Sequence, residues 1–237
     1  MRLKSLRSPQ EYHWDAFHCN PADTDKKHQQ GESNKRAQIA ESTYCRDFFD
    51  MIPVQPFMAH ADIPVFVADL SPLQAHLQLA RMAIEELRES HPLSPASNVK
   101  ATYMSPWRSH LLTDKFGPLM QVVLQVSKEA SKLLSADLDA LNMEMIVSEC
   151  WGIIYEQASY TIPHNHFPSD FSCSIYLESH ENSAPIVFAG KYPLQIKPNM
   201  LVMFPGILTH EVPATEGKRV VVAMNLHKHA TFANVKV

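Results

Sequence analysis

The stretch IPHNHFPSDFSCSIYLE, residues 162–178, sets two histidines one residue apart, His164 and His166, directly ahead of an alternating β-prone run. In an extended strand, residues i and i+2 project to the same face, with about 7 Å of backbone between them. Two imidazoles so placed can converge on one ion, at metal–nitrogen distances of about 2.1 Å. The pair alone is a weak signal in a chain with 13 histidines. His227 and His229 repeat the spacing and read as surface residues, and His180 stands in the polar loop ESHENSA. A third ligand has to come from elsewhere. His210, in FPGILTHEVP, follows a Pro-Gly turn and opens a short extended piece, which makes it the candidate.

The surroundings of that stretch are strand-like. MEMIVSECWGIIYEQ, FSCSIYLE, APIVFAG, YPLQIKP, NMLVMFP and KRVVVAMNLH are short, rich in β-branched and aromatic residues, and bounded by Pro, Gly, Asn or charge. Closely spaced strands of this kind point to a sandwich or barrel over residues 140–228. Upstream, IPVFVADL reads as one more strand. Ser71 is placed as an N-cap and Pro72 at the first helical position, with Leu73, Leu77, Ala80, Ile84 and Leu87 on one face. A second helix is expected from about Lys115 to Leu134, through Leu119, Val123, Val126, Ala130 and Leu133. Helices first and strands afterwards predict an α+β layout, with a helical part over 70–135 packed on one face of a β-structure. Residues 1–60 are polar and poor in apolar side chains, an extension that cannot form a core alone.

Composition narrows the function classes. There are 21 Lys and Arg against 25 Asp and Glu, a formal net charge of −4, with no basic block to engage nucleic acid or an anionic membrane. No apolar run reaches the length of a membrane span, and the N-terminus lacks the apolar middle of a signal peptide. Cys19, Cys45, Cys150 and Cys173 form no close pair. They read as reduced thiols, and the expected location is cytoplasmic. Cys150 and Cys173 fit core positions. With six glycines, no Gly-x-Ser-x-Gly and no phosphate-cradling loop, nucleophilic hydrolases and nucleotide-binding enzymes have no support.

Arg219 opens the strongest strand, RVVVAMNL, whose alternation puts Arg219, Val221, Ala223 and Asn225 on one face. A guanidinium inside a β-structure is costly unless it meets an anion, and a carboxylate suits its planar fork. Pattern alone also allows an exposed arginine beside Lys218 in a turn.

Together these residues resemble the 2-oxoglutarate/iron(II)-dependent dioxygenases, most closely a group of oxygenases from bacterial and phage genomes. The matching features are a strand with Trp151, the pair His164 and His166, the SCSIYLE strand with Tyr176, FPGILTH ending in His210, then Arg219 and Asn225. The resemblance covers residues 140–227, is thinner over 63–135, and does not reach residues 1–60. It implies a double-stranded β-helix, a jelly roll of two facing sheets like that of the cupins. It implies iron(II) on His164, His166 and His210, with 2-oxoglutarate and O₂ as cosubstrates. Arg219 would grip the distal carboxylate, helped by Tyr176 and Ser174 on one face, with Asn225 in the same set. The implied activity is hydroxylation of a small-molecule or peptide substrate, with 2-oxoglutarate converted to succinate and CO₂.

One departure stands out. Most of that superfamily carries Asp or Glu where this chain has His166. Asp170 is the alternative carboxylate, separated from His166 by the strand-breaking Pro168, and it fits a supporting role toward an imidazole N–H as well. Three histidines are also typical of cupin metalloenzymes that do not use 2-oxoglutarate, and a non-catalytic β-helix binding protein is the third reading. The N-terminal extension is expected to cover the barrel mouth or to pair with a second copy in a homodimer.

Overall fold

The computed structural model describes residues 61–231. The N-terminal extension, with Cys19 and Cys45, lies outside the described residues. Strands are β1 Phe66–Asp69, β2 Val99–Lys100, β3 Tyr103–Met104, β4 Met143–Tyr155, β5 Tyr160–His164 and β6 Phe171–Ser179. They continue as β7 Ile186–Phe188, β8 Tyr192–Leu194, β9 Met200–Pro205, β10 His210–Val212 and β11 Arg219–Ala230. The helices are α1 Gln74–Ser90 and α2 Gly117–Leu133.

The strands form two sheets. One runs β1-β9-β6-β11-β4-β3, the other β2-β5-β10-β7-β8, and every paired strand is antiparallel. The arrangement is a double-stranded β-helix with its helices against one sheet. The larger sheet is buried on both faces, which is why β11 reads as a nearly unbroken apolar run and hides its alternation. Along β11, Val220, Val222, Met224 and Leu226 join the helix-side core with Leu77, Ile84, Leu119 and Val123. Val221 and Ala223 face the other way, toward the barrel interior, with Trp151, Ile153, Tyr155, Tyr176, Val202 and Phe204. Cys150 and Cys173 are buried on the helix side, in the core positions the sequence assigns them.

Two local readings need correction. Ser71 does not cap α1. Residues Ser71–Leu73 form a 3-10 turn, and the Asp69 carboxylate accepts the Ser71 backbone N–H at 2.9 Å, so the α-helix starts at Gln74, two residues later than expected. Leu133, placed on the apolar face of α2, is 75% exposed. The helix ends there, and Leu134 N–H closes its last turn on Ala130 O.

Close contact between α1 and β4 depends on Gly152. A Cβ at that position would stand 2.3 Å from Ile84 Cγ1. Gly152→Ala should therefore destabilise the fold by about 1–3 kcal/mol in urea unfolding. The cost should shrink in an Ile84→Ala background, since the offending side chain is then gone. An equal cost in both backgrounds would show that this contact is not the cause.

Candidate metal centre

His164 is the last residue of β5, and His210 the first of β10, and the two are register partners in the smaller sheet. His166 is not on a strand. β5 has ended by then, so the i, i+2 projection expected from the pleat does not apply. Its place is set instead by the backbone of the loop. His166 N–H donates to Gly206 O at 2.7 Å, Gly206 N–H donates to Asp170 O at 3.0 Å, and Ser169 N–H donates to His166 O at 2.8 Å. A side chain on Gly206 has no room, because a Cβ would lie 2.1 Å from Ser169 O. The FPG turn and the HNHFPSD loop are thus tied together through main-chain atoms.

The result is convergence. One nitrogen from each of His164, His166 and His210 lies within 4.8 Å of the other two, the only such cluster of three or more ligand-type side chains among the described residues. Ring centroids are 4.9 Å apart for His164–His166, 4.4 Å for His164–His210 and 5.1 Å for His166–His210. The outer nitrogens are anchored. His164 Nδ1 faces Ile162 O at 2.8 Å and His210 Nδ1 faces Leu208 O at 3.3 Å. A carbonyl can only accept, so each Nδ1 carries its proton and leaves Nε2 as a free donor for a metal. Burial lowers all three pKa values, His166 to about 4 and His210 to about 3, with neighbouring imidazoles adding to the shift at those two. Neutral imidazole is the form a metal binds.

Asp170 is elsewhere. Its carboxylate accepts the Lys228 backbone N–H at 2.7 Å and pairs with Lys228 Nζ at 2.8 Å, and it belongs to no ligand cluster. The donor set is three neutral nitrogens with no carboxylate.

Below the histidines lies a narrow cavity of about 40 Å³, reached by Trp151, Tyr155, Thr161, Ser174, Tyr176 and Arg219. Arg219 is 1% exposed. One of its nitrogens, Nη1, donates to Ala184 O at 3.0 Å, while Nε and Nη2 are buried without a partner among the described residues. Its Cζ stands 4.3 Å from the Tyr155 ring centre and 5.9 Å from that of Tyr176. Burial raises both phenol pKa values, and the Arg219 charge partly offsets it. The guanidinium is therefore held by aromatic faces, with no described carboxylate paired to it.

Ser174 and Tyr176 share this cavity, as alternation on β6 requires. Asn225 does not. It lines a second, larger groove of about 510 Å³ on the other side of the histidines, together with Trp107, Arg108, Glu149 and His227. His227, read as a surface residue, is half-buried there and lies 3.3 Å from Ser169 Oγ. Tyr155 and Thr161, hydrogen bonded to each other at 2.8 Å, were absent from the expected set. The signal for Tyr155 is present in WGIIY, because Trp151, Ile153 and Tyr155 alternate onto one face and Tyr155 pairs in register with Arg219.

The neutral histidines, His210 buried and the other two half-buried, make the metal-free protein acid-sensitive. Unfolded chain takes up protons near pH 6.5, whereas folded His166 and His210 resist until about pH 4 and about pH 3. Their contribution is fully present above about pH 6.5 and is lost as the pH falls through those lower values. Melting temperature in chelator should drop over that window, and less steeply in His210→Gln than in the parent; parallel curves would contradict the assignment. Gly206→Ala should weaken divalent-metal binding by at least about tenfold in isothermal titration, through displacement of the His166 loop.

No protein-family model and no curated protein sequence matches the chain. Solved structures do. A prolyl-4-hydroxylase from Pseudomonas putida superposes with a TM-score of 0.50 at 16% identity, over 70% of this chain and 92% of that one. The non-heme alpha ketoglutarate dependent epimerase SnoN from nogalamycin biosynthesis gives a TM-score of 0.51 at 13% identity, over 72% and 82% of the two chains. A 2OG-Fe(II) oxygenase family oxidoreductase from Burkholderia pseudomallei matches only in part, at 17% identity and a TM-score of 0.33, and the chain spans 46% of its length. At such identities the likeness establishes the fold: the chain is a double-stranded β-helix of the kind seen in 2-oxoglutarate-dependent oxygenases.

Proposed function

We propose that this chain is an iron(II)- and 2-oxoglutarate-dependent oxygenase acting on a small-molecule or peptide substrate. The observation that carries the reading is Arg219. A buried guanidinium with two nitrogens unclaimed is expensive unless a ligand supplies an anion, and removing one partner of such a pair costs about 3–5 kcal/mol. The cavity that holds it opens onto three converging imidazoles. A dicarboxylate with a keto group next to one carboxylate suits both ends, one on the metal and one on the guanidinium.

The donor set fits iron(II), which imidazole nitrogens bind well and which three protein ligands leave open to further ligands. Iron and 2-oxoglutarate bound there supply dioxygen activation: 2-oxoglutarate is oxidised to succinate and CO₂, and one oxygen atom is placed on the substrate. The chain's own residues bind and orient. His164, His166 and His210 hold the metal. Arg219 takes the distal carboxylate through Nε and Nη2, with Ser174, Tyr176, Tyr155 and Thr161 as its hydroxyl-bearing neighbours. Trp151, Ile186 and Val221 line the cavity with apolar surface that excludes water from it.

The missing carboxylate favours one rival, a cupin-like three-histidine metalloenzyme that does without 2-oxoglutarate. Three neutral ligands leave iron(II) at its full charge. Against that rival stands the unclaimed guanidinium, for which a cupin acting directly on a small molecule gives no reason.

The two separate cleanly. Iron-loaded protein should consume 2-oxoglutarate and O₂ and release succinate, slowly even without a second substrate. Arg219→Met should weaken 2-oxoglutarate binding on the order of 100-fold while metal affinity holds. Metal binding with no affinity for 2-oxoglutarate would favour the rival, and an unchanged 2-oxoglutarate affinity in Arg219→Met would remove Arg219 from the role.

A further inference from the structure

The groove of about 510 Å³ shares Trp151, His164 and His166 with the inner cavity, so the metal point lies between the two. On the oxygenase reading, this is where the substrate sits. Its lining contains a single carboxylate, that of Glu149.

That carboxylate is held from behind. Asn225 Nδ2 donates to Glu149 Oε2 at 2.6 Å, and Asn225 Oδ1 accepts from Ser172 Oγ at 2.9 Å. Asn225 and Ser172 are 4% and 1% exposed. A chain of buried polar side chains running across β6, β11 and β4 thus ends on one oxygen of an acid that faces the groove. A buried Asn and Ser satisfied against main chain would serve packing equally well, so the acid at the end of the relay calls for a ligand. Glu149 forms no ion pair with any described residue, and this includes Arg108, which lines the same groove. Beside it, Trp107 and Trp151 meet edge to face with ring centres 4.9 Å apart. Aromatic faces next to an oriented carboxylate are the usual surroundings of an organic cation. The metal set itself contributes no negative charge, which leaves Glu149 as the anionic group on that wall.

We infer that the substrate carries an ammonium or guanidinium group and that Glu149, oriented by Asn225, is its counter-ion in the groove, against the Trp107 and Trp151 rings. Glu149 selects the substrate and fixes where it lies relative to the metal. Asn225 is a positioning residue.

The test uses the full chain with Mn(II) and 2-oxoglutarate, and two probes of one stem: N-acetyl-lysine methylamide and N-acetyl-norleucine methylamide. Manganese broadens the NMR lines of a probe held near it, which reports binding in the groove without turnover. The lysine probe should bind about tenfold more tightly than the norleucine probe. Glu149→Gln keeps an acceptor for Asn225 and should abolish that preference, with its melting temperature and 2-oxoglutarate affinity as controls on folding. Asn225→Ala should reduce the preference by leaving the carboxylate unoriented. Equal binding of the two probes, no binding of the lysine probe, or a preference that survives in Glu149→Gln overturns the inference. If Mn(II) or 2-oxoglutarate itself fails to bind, the oxygenase reading fails first, and the two failures are told apart before any probe is added.

Discussion

A positive charge with no carboxylate paired to it among the described residues governs this molecule. Arg219 is enclosed by β4, β6 and β11, packed between two tyrosine rings, and given one carbonyl for its five N–H groups. Everything around it is consistent with holding that charge in place. Three strands pair in register through it, apolar side chains and a few hydroxyls line the cavity, and the imidazoles stand at its other end. A fold that only had to be stable would have put an aliphatic side chain at this position. The larger sheet already buries its opposite face against two helices, so it has stability to spare for a costly group on the inner face.

The three-histidine cluster is built with more main chain than side chain. Two of its imidazoles are fixed by strand register, and the third by carbonyls and amides of two loops that touch at Gly206. Loops meeting through main-chain hydrogen bonds are insensitive to most side-chain changes, which lets the groove side of the HNHFPSD segment vary while the ligand geometry holds. Neutral imidazoles, those of His164 and His210 with Nδ1 turned to a main-chain carbonyl, are already in the state that a metal needs, so little reorganisation accompanies binding.

What could be read from the residues, and what could not, follows from periodicity. Period-two alternation places Arg219, Val221, Ala223, Ser174 and Tyr176 without any coordinates, and turn residues mark where His210 begins a strand. Spacing and the Pro-Gly turn mark His164, His166 and His210 as candidate ligands, and the family resemblance implies the same three. Pattern failed where geometry is not periodic. His166 lies past a strand end, and only the Gly206 contact locates it. Asn225 alternates with Arg219 and yet serves the groove, because β11 is long enough to pass from one chamber to the other. Leu133 looks apolar in sequence but falls where the helix runs out. Helix starts also misled, since Ser71-Pro72 resembles a cap while Asp69 supplies the acceptor.

β11 behaves as a ruler. Arg219 and Asn225 stand six positions apart on it, roughly 20 Å of extended backbone, and paired strands on both sides hold it in place. Such a part cannot be lengthened gradually. Insertion of one residue between the two would turn one of them toward the helices, exchanging a polar group for a packed one. Substitutions along this segment leave that spacing unchanged, so a different groove lining is reached through the loops around the groove, at fixed distance from Arg219.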